Sequence, residues 1–293
     1  MRAVTTPDER FHGLPDYPFA AHYFEWRGLS VHYVDEGIGP VVVLFHGEPT
    51  WSFLYRKVIR VLRDAGFRAI APDYPGFGRS DKPTDPGFYT YDNLVAAMLA
   101  LIDHLDLRNA AAVVQDWGGP IGLRVATERS DRFTRLSILN TGLFTGGGSN
   151  PAFVAWRSFV EQNPDLPIGM IMSRAAATEW SPAVLAGYEA PFPTMEHKVG
   201  AWRLPLIVPV DAADPGAAEM AGVRKSLAGW TNPAQVLFST GDPIFSVRAG
   251  QRFVDLIPGA SELETVEGAG HFLQEDAGEP VGAAITAFLR ATA

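Results

Sequence analysis

The chain has 293 residues, with 29 Gly, 23 Pro, seven Trp, 18 Phe, no Cys and a net charge of −9. That length holds one large domain, or a core with an inserted subdomain. The lack of Cys excludes disulfides, thiol catalysis, Cys–zinc sites and iron–sulfur clusters, and the acidic balance argues against a general binder of nucleic acid or anionic membranes. Residues 1–13 are polar and charged, without the apolar core of a signal peptide, and runs such as Val41–Phe45 and Leu204–Val210 are far short of a membrane span. The expectation is a soluble, cytoplasmic globular protein.

Ala21–Trp26 and Leu29–Asp35 read as two strands joined by a turn at Arg27-Gly28. Val41–Phe45 is an unbroken apolar run, as in a strand buried on both faces. Leu54, Val58, Val61, Leu62 and Ala65 recur at helical spacing, with Arg56, Lys57, Arg60, Arg63 and Asp64 on the other faces and Gly66 as the stop. Phe67–Pro72 is the next strand, Leu94 to Leu105 a helix, Ala110–Val114 a strand, Gly118–Arg129 a helix and Arg135–Leu139 a strand. This alternation predicts a mostly parallel α/β sheet. It breaks off between Thr145 and Ala212, where short helical patches and several Pro occur without a convincing strand, and Gly146–Gly148 reads as a hinge. It resumes with strand Gln235–Thr240, helix Val247–Leu256, strand Glu262–Val266 and helix Pro280–Leu289. The expected architecture is an eight-stranded α/β core (1–144 and 213–293) interrupted by a helical cap (145–212).

Ligands of open α/β sheets bind beyond the carboxyl ends of the strands, so the residues just past each strand matter most. After Val41–Phe45 comes His46-Gly47-Glu48-Pro49, a forced turn able to aim backbone N–H groups into a cleft. After Ala110–Val114 comes Gln115-Asp116-Trp117-Gly118-Gly119, opening a helix. In serine hydrolases such an elbow reads G-x-S-x-G; here its centre is Asp116. A helix N-cap is the plainer job for that Asp, as a turn is for Gly241-Asp242-Pro243 after the seventh strand. Near the last strand lies Gly268-Ala269-Gly270-His271-Phe272. Taken together, Asp116, Asp242 and His271 stand in the order nucleophile, acid, base, each just past a strand of one sheet, the order of the α/β-hydrolase triad. The alternative acid position, after Arg135–Leu139, is the uncharged Asn140.

The segments His46–Trp51, Pro72–Pro83, Val113–Gly119 and Gly268–Phe272 together resemble the haloalkane dehalogenases, in the branch with its acid after the seventh strand and two Trp as halide ligands. The resemblance runs along nearly the whole chain and is weakest in the cap. It implies an α/β-hydrolase fold and hydrolysis of a carbon–halogen bond to a primary alcohol, halide and a proton. It implies Asp116 as nucleophile, His271 as base and Asp242 as the acid orienting it. The N–H groups of Glu48 and Trp117 would form the oxyanion hole, and the indoles of Trp117 and Trp156 would bind halide, with Trp180 and Trp202 as alternatives to Trp156. Phe153, Leu204, Ile244 and Phe245 would line the pocket. No metal or organic cofactor is implied. The partners are a small apolar halogenated substrate, halide and water, with neither nucleic acid nor membrane, and the chain is expected to be a monomer.

These residue types suit the chemistry. A saturated carbon must be attacked in line with its leaving group, and a carboxylate is already ionised at neutral pH. Its alkyl ester supplies a carbonyl that water can then attack, whereas a Ser nucleophile would leave an ether. Indole N–H groups can hold a halide because Trp donates without accepting. Epoxide hydrolases share the triad but need two cap tyrosines, and between Thr145 and Ala212 there is one, Tyr188, against three Trp. A haloacid dehalogenase would need an Arg near the nucleophile, and the nearest downstream is Arg124. A non-catalytic ligand binder of this fold is the remaining alternative.

Overall fold

The computed structural model describes residues 1–147 and 151–293, so Gly148 of the expected hinge lies outside the described residues. Eight strands form one sheet: β1 (His22–Trp26), β2 (Leu29–Glu36), β3 (Val41–Phe45), β4 (Arg68–Pro72), β5 (Ala110–Gln115), β6 (Phe133–Leu139), β7 (Ala234–Ser239) and β8 (Ala260–Val266). Their spatial order is β8-β7-β6-β5-β3-β4-β2-β1, parallel from β8 to β4, with β2 and β1 antiparallel at the end. Every residue of β5 and β7 is buried, as strands covered on both faces require. The Arg27-Gly28 turn has positive φ at both residues, as a tight hairpin requires. A two-residue ribbon, Ala3–Val4 against Lys82–Pro83, joins the N-terminus to the loop after β4. No helix among the described residues is long and apolar enough to cross a membrane.

Between the strands run α1 (Arg56–Asp64), α2 (Tyr91–His104) and α3 (Gly118–Glu128). The Thr90 hydroxyl accepts the N–H of Asn93 and so starts α2 three residues before the first periodic apolar position. After β6 come α4 (Pro151–Gln162), α5 (Ile168–Ala175), α6 (Pro182–Glu189) and α7 (Val199–Leu206), then α8 (Ala217–Leu227), which the sequence pattern did not reveal. The chain finishes with α9 (Val247–Leu256), the four-residue α10 (Leu273–Asp276) and α11 (Gly278–Ala291). At the neck of the α4–α7 insertion, Gly147 bridges Asp211, and a Cβ on Gly146 would lie 2.1 Å from the Ala212 nitrogen. Gly146, at φ +82, is thus required by close backbone approach, not only by a need to bend.

One surface expectation is overturned. Arg56 is not on an outer face of α1: it is 1% exposed, pairs in a fork with Glu275 at 2.5 and 2.7 Å and lies over the Phe53 ring. The Tyr188 hydroxyl donates to the same carboxylate at 2.7 Å, so the buried charge pair joins α1 to α10 and the tyrosine adds α6. A guanidinium tolerates this burial because its donors match a carboxylate bidentately.

Candidate active site

The elbow between β5 and α3 holds Asp116 at φ +51, a conformation that costs an L-residue about 1–2 kcal/mol. Neighbouring groups fix it there. The Asp116 N–H donates to the Asn140 carbonyl, and its own carbonyl accepts from Gly119 N–H and the Thr141 hydroxyl. Gly118 must lack a side chain, since a Cβ would stand 2.0 Å from the Phe45 carbonyl oxygen. Trp117, not Asp116, is the cap of α3. The Asp116 carboxylate instead accepts the Glu48 N–H at 2.7 Å, and the Trp117 N–H also bonds to it. Gly47 lets this loop close over Asp116, because a Cβ there would meet Asp116 Oδ1 at 2.5 Å.

His271 faces this carboxylate. Its Nδ1 lies 2.8 Å from Asp242 Oδ2, which fixes the Nδ1–H tautomer and leaves the Nε2 lone pair 3.7 Å from Asp116 Oδ2. That gap is too long for a direct hydrogen bond. Asp242 also has the turn role: its Oδ1 accepts the N–H groups of Ile244 and Phe245 at 2.7 and 3.0 Å. The capping and turn readings of the two aspartates therefore part company, since Asp116 does not cap while Asp242 both turns the chain and holds the histidine. Asn140 is no acid; its amide donates to the carbonyls of Gly270 and His271.

Burial pushes the Asp116 carboxyl up, and His271 and the two N–H donors only partly offset this, so it titrates above an ordinary Asp. Burial alone would push His271 down, but the charge and hydrogen bond of Asp242, with the charge of Asp116, raise it above 6.5. Glu48 is a feature the sequence did not disclose beyond its backbone. Burial and the Asp116 charge hold its carboxyl well above the usual carboxylate range. His46, by contrast, is pushed down to about 4 by burial and takes a structural role, its Nδ1 bonding to the Gly47 carbonyl.

A cavity of about 320 Å³ opens above Asp116. Glu48, Asp116, Trp117, Phe153, Trp156, Ile244, Phe245 and His271 all line it. Leu204 does not: it is fully buried in the core, while Pro205, one position further round α7, reaches the cavity. Sequence reasoning also missed Phe144, Phe159 and Met170. Helical period and apolar character mark both core and cavity residues, and only the insertion's packing separates them. The three insertion tryptophans now differ. Trp156 faces the cavity, Trp180 donates its indole N–H to Asp276 at 3.0 Å, and Trp202 lies off the cavity. Tyr188 is buried against Glu275, so no tyrosine lines the cavity among the described residues.

Residues 40–278 match the family model for the alpha/beta hydrolase fold, in keeping with this sheet order. A haloalkane dehalogenase from Psychrobacter cryohalolentis is 43% identical across 99% of this chain and 98% of its own length. One from Mycolicibacterium paratuberculosis is 42% identical across 99% of both. Among solved structures, the tetrameric haloalkane dehalogenase DpaA from Paraglaciecola agarilytica superposes with a TM-score of 0.92 at 34% identity, covering 97% of each chain. The chain belongs to the haloalkane dehalogenase family of the α/β-hydrolase superfamily. It is a hydrolase acting on carbon–halide bonds.

Proposed function

We propose that this chain hydrolyses haloalkanes through an alkyl ester on Asp116, in the branch with its acid after β7 and two Trp at the halide site. The observation that carries the reading is the Asp116 carboxylate at the base of an apolar cavity, facing Nε2 of a histidine oriented by Asp242, with the Gln115 amide 3.3 Å from the same Nε2. Asp116 Oδ2 attacks the halogen-bearing carbon and the carbon–halogen electron pair leaves with the halide. The indole N–H groups of Trp117 and Trp156 receive that charge. His271 Nε2 then takes a proton from water, and the hydroxide adds to Cγ of the Asp116 ester. The N–H groups of Glu48 and Trp117 hold the resulting oxyanion, each contributing about 3–4 kcal/mol. Collapse breaks the Cγ–O bond to the alkyl group, the leaving alkoxide takes the proton held on His271 Nε2 and departs as the alcohol, and the Asp116 carboxyl loses its own proton to water, which restores the carboxylate. Residues 145–212 serve as the cap that shapes and dries the site.

Trp156 is tested by bromide. A crystal soaked with bromide is expected to hold the ion between Trp117 and Trp156. Trp156→Phe removes one hydrogen bond to a charged group, so bromide affinity, read from indole fluorescence quenching, should fall about tenfold or more. Density beside Trp202, or unchanged bromide affinity in Trp156→Phe, would reassign the second ligand.

A pH effect follows from the charges around His271. The base must be unprotonated, so ester hydrolysis is fast above its pKa and falls as the pH drops through it. In the resting enzyme Asp242 and Asp116 together hold that pKa above 6.5. Esterification removes the Asp116 charge, and with it one of the forces raising the pKa. The acid limb of the single-turnover hydrolysis rate is therefore expected at lower pH than the NMR titration of His271 in the resting enzyme. An equal or higher position would contradict the assignment.

A further inference from the structure

Asp276 ends α10, five residues after His271, and its carboxylate gathers five donors, none from a charged side chain. Oδ1 accepts the Thr178 N–H (3.2 Å), the Thr178 hydroxyl (2.5 Å) and the Trp180 indole N–H (3.0 Å). Oδ2 accepts the N–H groups of Ala177 and Gly270, both at 2.9 Å. The first four donors lie on the connection between α5 and α6, and the last is the residue before His271. The His271 N–H itself donates to the Ala175 carbonyl at 3.1 Å. The two backbones touch here: a Cβ on Gly270 would stand 2.7 Å from the Ala175 oxygen.

The histidine loop is thus held from two sides. From the sheet, Asn140 donates to the carbonyls of Gly270 and His271, and Gln115 donates to that of His271. From the other side, Asp276 of α10 and Ala175 of the insertion take the N–H groups of the same two residues. Hydrogen bonds to an ionised carboxylate are the stronger kind, so Asp276 is the principal anchor on that side. The halide side of the cavity is fixed elsewhere. Trp117 rides on the start of α3, and Trp156 on α4, where the adjacent Arg157 donates to the Val208 carbonyl at 3.0 Å.

We propose that Asp276 is a positioning residue for the hydrolytic half of the reaction, locking the α5–α6 connection to the His271 loop so that Nε2 stays aimed at Cγ of Asp116. This rests on the reading of His271 as the base of that step. Loss of Asp276 should slow ester hydrolysis and spare halide displacement. When the second of two steps becomes limiting, kcat and KM fall together and kcat/KM holds.

The test is rapid-quench bromide release from 1,2-dibromoethane by the intact protein, with His271→Phe as control. Asp276→Ala is expected to lower kcat and KM together by about tenfold, with kcat/KM within about twofold of the parent and a first-turnover burst near one bromide per folded site. Asp276→Asn keeps one acceptor oxygen and should fall between. Trp180→Phe removes a single donor and should shift the same way by less; it carries the test if the Asp276 variants do not fold. An unchanged KM with a burst shrinking in proportion to kcat would mean a merely structural role and overturn the proposal, as would unchanged kinetics. If His271→Phe itself turns over repeatedly, the reading of the base fails and the proposal with it. If His271→Phe stalls while the Asp276 variants behave as the parent, only the proposal fails.

Discussion

Asp116→Ala is expected to lower steady-state bromide release from 1-bromobutane or 1,2-dibromoethane by about four orders of magnitude or more. The effect is this large because the displacement has no second route. His271 Nε2 is committed by its tautomer to accepting protons, and burial with the Asp116 charge pushes the Glu48 carboxyl well above the usual carboxylate range. A bare water would have to attack a saturated carbon without activation. Ion chromatography of released bromide checks the outcome, and multiple turnovers above about a hundredth of the parental rate would refute Asp116 as nucleophile. The fold should survive, because the elbow is also held through the backbone of Asp116, by Asn140, Gly119 and Thr141.

His271→Phe should separate the two half-reactions. Phenylalanine fits the place, since the His271 ring already stacks on Phe245 and meets the edge of Phe272. Asp242 keeps the N–H groups of Ile244 and Phe245, so its charge is not stranded. Displacement needs only Asp116 and the halide donors and should proceed, while hydrolysis loses its base and slows by about three orders of magnitude or more. The variant is therefore expected to release one bromide per site and to carry an alkyl group on the peptide containing Asp116, seen by mass spectrometry. Release of many bromides per site, or an unmodified Asp116, would contradict the assignment of the base.

The alternation of strands and helices was legible because buried parallel strands such as Val41–Phe45 carry unbroken apolar runs, whereas the helices show the 3.6 period. Asp116, Asp242 and His271 were legible for a related reason: each lies in the loop that follows a strand, where this topology gathers ligands. Local pattern could not tell a cap from a nucleophile at Asp116, nor a turn from an acid at Asp242, because these jobs draw on the same residue and the same neighbours. What failed to show was set by distant partners. Arg56 reads as a surface charge until Glu275, 219 positions away, is seen to pair with it. Trp156, Trp180 and Trp202 are indistinguishable as letters; their roles depend on whether Asp276, the core or the cavity meets the indole. Leu204 and Pro205 exchange expectations through one step of helical rotation. Residues 213–233 yielded no element because α8 packs on α3 with only Ala217, Met220, Val223 and Leu227 buried, a weak stripe among small residues.

The neck of the insertion has a consequence for diversity within such a scaffold. Gly146 and Gly147 run against Asp211 and Ala212, so the chain leaves the sheet after β6 and returns toward β7 through one narrow doorway. Closing a longer or shorter loop from adjacent ends changes the free energy only slowly with length. Whatever is threaded between those two points can be lengthened, trimmed or exchanged without prising β6 from β7. The aspartates and histidine borne by the sheet can then keep one reaction while successive cassettes above them redraw which molecules reach it.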